Sequence, residues 1–165
     1  MVRVEKMKNR IPFSQRLFWS IFVMFLGFTV CFLLFQYQRE REFSQEKLNN
    51  VLSNYNYQLF SRTQQDTDIN KTVRQFIEDI PQKELRVTII DPNGKVLFDN
   101  SGTEEFNNHN DRSEVRKARL YNEGFAIRTS GSTGRRYFYS ASNIGSYIYR
   151  SALPYDPYVQ SALST

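Results

Sequence analysis

With 165 residues, 40% of them hydrophobic and 24% charged, the chain is long enough for one ordinary domain with its own core. Its formal net charge of +5 is unevenly spread: Arg3, Lys6, Lys8, Arg10 and Arg16 against Glu5 place +4 in the first 16 residues, leaving 5 − 4 = +1 for everything after them. The basic balance is therefore no footprint of a nucleic-acid-binding domain, and a lone cysteine, Cys31, rules out a disulfide framework.

After the basic tail (1–16), residues 17–38, "LFWSIFVMFLGFTVCFLLFQYQ", carry no charge. A helix over 17–35 alone would rise about 28 Å, enough for the hydrocarbon layer of a bilayer. Gly27 is at home in such a helix, and Cys31 within it reads as packing filler. We therefore expect a transmembrane helix over 17–36. Beyond it Arg39, Glu40, Arg41 and Glu42 cancel. Positive-inside bias then puts the amino terminus in the cytoplasm and residues after about 37 in the periplasm or extracytoplasmic space, with a single span in the inner (cytoplasmic) membrane. The apolar run exceeds a signal-peptide core, and no small-x-small site follows it in "LLFQYQRERE", so the span reads as uncleaved.

Residues 37–64 stay helical in character, with no proline or glycine and an irregular apolar stripe of Phe43, Leu48, Val51, Leu52, Tyr55 and Leu59. This predicts the membrane helix continuing outward. A domain over 65–157 follows. "INKTVRQFIEDI" places Ile69, Val73, Phe76, Ile77 and Ile80 at helical spacing, with Pro81 as a stop. "LRVTIID" (85–91) is a β-branched strand, "PNG" (92–94) a turn and "KVLFDN" the returning strand. "DRSEVRKARLY" predicts a short helix capped by Asp111, with Glu114 at the capping-box position and Gly124 as its end. "FAIRTS", "RRYFYSASNI" and "SYIYRSALPYD" then read as three strands, with "GSTG" (131–134) and Gly145 at the turns. The order implies a mixed α/β domain with a central antiparallel sheet of about five strands and helices on one face. Residues 158–165 read as the start of a segment leading to a second membrane helix.

Catalytic signatures are missing: the sequence has no Walker loop, HExxH, GxSxG or paired-cysteine metal motif. "GSTG" lacks the lysine and longer glycine pattern of a phosphate cradle and reads as a hairpin turn, and Asp66, Asp68, Asp91 and Asp99 read as caps of helices and turns. The only histidine, His109, stands three residues before Arg112. A guanidinium offers a planar donor fork for carboxylate or phosphate, and an imidazole can switch charge within environmental pH. Both precede a helix start, where backbone N–H groups are free. His109 and Arg112 are thus ligand-binding candidates, joined by Arg128, Tyr139 and Tyr149 if these line the same sheet face. His109 has no second histidine or cysteine near it to make a metal site. Arg135 and Arg136 alternate across a strand and read as basic surface.

"LRVTIIDPNGKVLFDN", "NHNDRSEVRKAR", "YFYSASN" and "YIYRSALPYD" together resemble the extracytoplasmic sensor region of membrane-bound histidine kinases of the PhoR/WalK-like kind, in their Bacteroidetes versions. The resemblance spans residues 17–165. It implies a PAS-like or single-Cache-like sensor fold between two membrane helices, a homodimer, and a cytoplasmic kinase that phosphorylates a response regulator. It also implies that the histidine–arginine segment helps shape a ligand site, which carries over to His109, Arg112 and Glu114. Ser113 stands where related sequences often have proline. The sequence holds no phosphoacceptor helix and no ATP-binding glycine boxes, and His109 falls outside the cell. The chain is accordingly expected to be the sensor portion alone. It would need no cofactor, have no enzymatic activity of its own, bind no nucleic acid, and reach a response regulator only through the absent kinase domain. Its expected partners are the lipid bilayer, a second copy of itself, and an unknown small ligand or periplasmic protein. The alternative reading is a membrane-anchored extracytoplasmic adaptor that binds a partner protein.

Overall fold

A computed structural model describes residues 12–65, 68–101, 108–131 and 133–155. The basic residues before Pro12, Asp66, and the expected lead toward a second membrane helix at 158–165 lie outside the described residues. The elements are α1 (Phe13–Thr63), α2 (Ile69–Asp79), β1 (Arg86–Ile90), β2 (Val96–Asp99), α3 (Ser113–Tyr121), β3 (Glu123–Thr129), β4 (Arg136–Ile144) and β5 (Tyr147–Pro154). The chain forms two compact units, Met1–Phe43 and Ser44–Thr165, whose boundary falls within α1.

The first unit is the apolar part of α1. Its large side chains from Leu17 to Phe35, Trp19 and Phe22 among them, are all exposed. The helix is long and apolar enough to cross a membrane. Phe22 stacks on Phe18 and meets Trp19 edge-on, as residues four and three apart on a helix do.

The second unit is an α/β fold on a five-stranded antiparallel sheet in the order β2-β1-β5-β4-β3. Its turns follow from local chemistry. In the β1–β2 hairpin the Asp91 carboxylate accepts from the backbone N–H groups of Asn93 and Lys95, both at 2.8 Å, and Gly94 takes a φ of 88°. Gly145, at φ 65°, turns β4 into β5. Across the described ends of the "GSTG" turn, Ser130 N–H donates to Arg135 O and Gly134 N–H to Ser130 O, closing the hairpin read from sequence. Asp68 caps α2 by accepting from Lys71 N–H.

Helices cover both faces of the sheet, not one. Val87, Ile89, Phe98, Phe138, Tyr149 and Leu153 pack with Leu48, Leu52 and Leu59 of α1 and with Val73, Phe76 and Ile80 around α2. Ile90, Ala141 and Ile148 point the other way, onto Val115 and Ala118 of α3. The start and end of α3 also depart from the sequence reading. Arg112, not Asp111, holds the N-cap position and makes no side-chain cap bond, while Asn122 ends the helix in the left-handed region at φ 66°. Gly124 belongs to β3, where a Cβ would lie 2.5 Å from Glu114 O and 2.8 Å from Ala118 N. A glycine there lets α3 close down on the sheet.

The irregular stripe on α1 also has an explanation. Between Leu52 and Leu59 the buried positions are the polar Ser53 and Asn56, the latter fully enclosed. Its Nδ2 donates to Ser140 O (3.2 Å) and Ser142 Oγ (3.1 Å), and its Oδ1 accepts from Ser151 Oγ (2.6 Å). Beside it Ser53 Oγ donates to Glu123 Oε1 and Ser140 Oγ to Asn49 Oδ1, each at 2.8 Å. A polar ladder thus runs through the α1–sheet contact, with serines on β4 and β5 satisfying what would otherwise be costly buried groups. Asn56→Ala should strip three bonds at once and lower the unfolding free energy by about 2–4 kcal/mol. Urea titration checks this: the midpoint should fall while the m-value holds.

Candidate functional site

The α3 side of the sheet gathers the charged side chains. Strand register lines up Asp99, Thr88, Arg150, Ala141 and Gly124 in one row across all five strands. The two small residues of that row lie beneath α3, and the charged ones continue beyond it. Glu114, in the first turn of α3, is fully buried against this row. Its Oε1 lies 3.0 Å from Arg128 Nη2 and 3.3 Å from Arg150 Nη1, and Arg128 Nε reaches Oε2 at 3.4 Å. The buried Arg150 also donates through Nη2 to Thr88 Oγ1 (2.9 Å) and approaches Asp99 Oδ2 at 3.8 Å. Thr88 in turn donates to Asp99 (2.9 Å).

Tyr139 forms the floor. The Arg128 guanidinium carbon stands 3.9 Å from its ring centroid and that of Arg150 5.2 Å, both within cation–π range. Ala126 and Ala152, its register partners, leave room for the ring. In the same face Arg86 donates to Ser130 Oγ, lies over Tyr137 and approaches Asp99 at 3.9 Å.

His109 enters from the side, held by the β1–β2 turn. Asn108 and Asn110 each donate through Nδ2 to Asn93 O, at 3.0 and 2.7 Å, and His109 N–H donates to Gly94 O at 2.8 Å. Arg119 Nη2 completes the clasp by donating to Asn110 Oδ1 and Asp91 O. Gly94 has a second reason to be glycine here, since a Cβ would run into the side chains of Asn108 and Asn110. The asparagines serve as clamps and leave the imidazole between them at the charged face. His109 Nδ1 is shielded from solvent and has no hydrogen-bond partner among the described residues. Burial, then the Arg150 and Arg112 guanidiniums, push its pKa down to about 4; Asp99 opposes them and Arg128 adds to them. The ring is neutral at pH 7. Burial raises the Glu114 carboxyl, but the Arg128 hydrogen bond and the charges of Arg128 and Arg150 outweigh it and hold the group below its usual range.

Of the five sequence candidates, Arg128 and Tyr139 meet on this side, His109 lies near enough to feel the Arg128 and Arg150 charges, and Arg112 stands at the start of α3, where its charge also acts on His109. Tyr149 does not join them. Its register partners are Ser142 and Ile89, which face α1, and its hydroxyl lies 3.1 Å from Thr63 Oγ1 with its ring against Phe60. Strand alternation separates it from Arg150 and Tyr139. Sequence reading missed Arg150 and Asp99 as members; the residues alone gave Glu114 a capping role, and only the resemblance placed it beside the site. The available signal was an arginine inside an apolar strand, "YIYRSAL", which demands a buried partner.

The assembly offers guanidinium forks and an aromatic ring. Among the described residues no group of three or more His, Cys, Asp or Glu side chains is placed to hold a metal ion. No protein-family model matches the chain, and no curated protein matches it. One solved structure that does is the YkuI protein of Bacillus subtilis, which has an EAL domain and was crystallised with its substrate c-di-GMP and calcium. The identity is 15% and the TM-score 0.43, with the match covering 92% of this chain and 41% of that one. The chain thus spans less than half the length of that protein, and a likeness of this degree carries nothing over to its chemistry.

Two outcomes follow from the charged face. Glu114→Ala would leave two guanidiniums facing each other in a dry site, and should cost about 3–5 kcal/mol by denaturant titration. The pH dependence has two parts. The unfolded chain takes up the His109 proton near 6.5 and the folded one not until about 4, so stability falls as pH drops through that window. The Glu114 contribution is present above the ordinary carboxyl range and is lost as pH falls below it. His109→Gln should abolish the first slope, on the order of 1–3 kcal/mol, and keep the second.

Proposed function

We propose that the chain is the signal-input portion of a membrane-bound two-component sensor histidine kinase, with a PAS-like or single-Cache-like domain outside the cytoplasmic membrane. The observation that carries the reading is α1. One unbroken helix contains both the membrane-competent apolar segment and the residues Leu48, Leu52, Asn56 and Leu59 that pack on the sheet. A sensor needs such a connection, because a ligand acts by favouring one of two existing arrangements and the bias has to reach the bilayer. The five-stranded antiparallel sheet flanked by helices, with α3 inserted between β2 and β3, is in keeping with this fold. The phosphoacceptor and ATP-binding parts would belong to a longer protein.

Pairing of two copies would use the α1 face turned away from the sheet, where Glu46, Asn50 and Tyr57 are exposed at helical spacing. In a Cys31→Ser background, single cysteines at these three positions should give disulfide-linked homodimers in native membranes, and cysteines at the opposite, sheet-packed positions should not. An absence of homodimers at all three, together with stable recovery of a different protein, would replace the sensor by the adaptor reading. That second reading has its own observation in Leu120 and Tyr121, which stand 74% and 76% exposed at the end of α3.

A further inference from the structure

We propose that Asn93, in the β1–β2 turn, is a self-modifying residue: the backbone nitrogen of Gly94 displaces its side-chain amide, and the Asn108 and Asn110 amides promote the reaction. This chemistry belongs to the chain alone and does not rest on the sensor reading.

Sequence and exposure single out the position. Asn93 is the only asparagine in the chain followed by glycine. Residue 94 has no side chain to screen its nitrogen from the neighbouring Asn93 Cγ, and reacting groups on adjacent residues need no encounter to meet. Asn93 is exposed, and its side chain makes no hydrogen bond among the described residues, so nothing holds it away from that nitrogen. Asn100, which precedes a serine, is the contrast. Its Nδ2 donates to Leu85 O at 2.9 Å and its Oδ1 accepts from Val87 N–H at 2.8 Å, so both ends of the amide are tied.

The peptide group between the two residues is already poised. The Gly94 nitrogen becomes a nucleophile only on losing its proton, and the charge of the resulting anion is shared with the oxygen of the same peptide group, Asn93 O. Two N–H donors point at this oxygen, Asn108 Nδ2 at 3.0 Å and Asn110 Nδ2 at 2.7 Å. Donors set in advance where negative charge develops lower the cost of forming it. They are themselves fixed: Asn110 Oδ1 accepts from Arg119 Nη2 at 2.8 Å, and Asn108 Oδ1 from Asn110 N–H at 2.9 Å. One contact opposes the step, the donation of Gly94 N–H to Asp91 O at 3.0 Å, which the departing proton has to leave.

The reaction consumes water and releases ammonia, with nothing oxidised or reduced. Solvent takes the Gly94 proton and the nitrogen bonds to Asn93 Cγ. The Cγ–Nδ2 bond then breaks, and Nδ2 leaves as ammonia after regaining a proton, so that a cyclic imide remains. Water next adds to one of the two imide carbonyl carbons, the C–N bond there breaks, the nitrogen recovers its proton, and the new carboxylic acid gives its own to ammonia. Addition at the main-chain carbonyl again develops charge on Asn93 O, under the same two donors. The favoured product is therefore isoaspartate, whose main chain runs through the side-chain carbon and whose α-carboxylate stays with Asn108 and Asn110. The turn gains a negative charge and an extra main-chain carbon.

Peptide mapping by mass spectrometry tests this on the full chain, held folded in detergent micelles at mildly alkaline pH. Conversion reads as a gain of about 1 Da on the peptide that carries residue 93, and fragmentation tells isoaspartate from aspartate. Asn93 should convert faster than every other asparagine, Asn100 included, with isoaspartate as the main product. Asn110→Ala removes a donor without adding charge and should slow the conversion about tenfold, less than a dry oxyanion site would lose because these bonds meet solvent. In urea, where the clasp is gone, the variant and the parent chain should convert at one rate. If Asn110→Ala does not fold in micelles, Asn110→Asp is read in its place with the same expectation, since it keeps the size and the acceptor for Arg119. A clasp that only stiffened the turn would give the opposite sign, because loosening it would speed the reaction. Conversion in the folded variant at or above the parent rate, or an Asn93 that keeps its amide longer than Asn100, would overturn the proposal.

Discussion

Everything on the α3 side of the sheet depends on one carboxylate. Glu114 is fully buried between the half-buried Arg128 and the buried Arg150, and with no water of its own to turn to, the carboxylate holds both guanidiniums in place. The bridge ties α3 to β3 and β5 at once. It also fixes where the Arg128 guanidinium can lie, and therefore how it stacks on Tyr139. The geometry is possible only because Ala141 and Gly124 occupy the same cross-strand row as Arg150. Larger residues there would lift α3 and part the ion pairs.

The opposite face is organised by a different chemistry. α1 and α2 bury a large apolar cluster on Val87, Ile89, Phe138 and Leu153, which supplies most of the driving force. Hydrocarbon alone sets α1 down without fixing its rotation. Asn49, Ser53 and Asn56 meeting Ser140, Ser142, Ser151 and Glu123 supply that direction. The two faces therefore divide the work: ionic contacts position the candidate site, and neutral hydrogen bonds orient the helix that also bears the apolar segment.

The sequence disclosed much of this fold because its signals were local. A charge-free apolar run, helical spacing ending at Pro81, and Pro92 and Gly94 in a turn each need only a few neighbouring residues to be read. Facing was harder. β4 and β5 are buried on both sides, so alternation of Tyr137, Tyr139, Tyr147 and Tyr149 shows which residues share a side but not which side meets α1 or α3. Tyr149 was misplaced for that reason. Glu114 illustrates a second limit. An acid in the first turn suits a capping box equally well as a buried ion pair, and only the partner across the sheet, Arg150, decides between them. Asn56 hid in the same way, because its serine partners lie 84 to 95 residues further along the chain.

The polar ladder on α1 has a mechanical consequence. Contacts between hydrocarbon side chains weaken gradually as a helix turns, since they have no preferred direction. The three bonds of Asn56 share one side chain and point to three fixed atoms on two strands. A turn of the helix large enough to break one misaligns the others, so resistance is concentrated at a single angular setting. α1 sits against the sheet like a key in a slot, with rotation discrete rather than continuous.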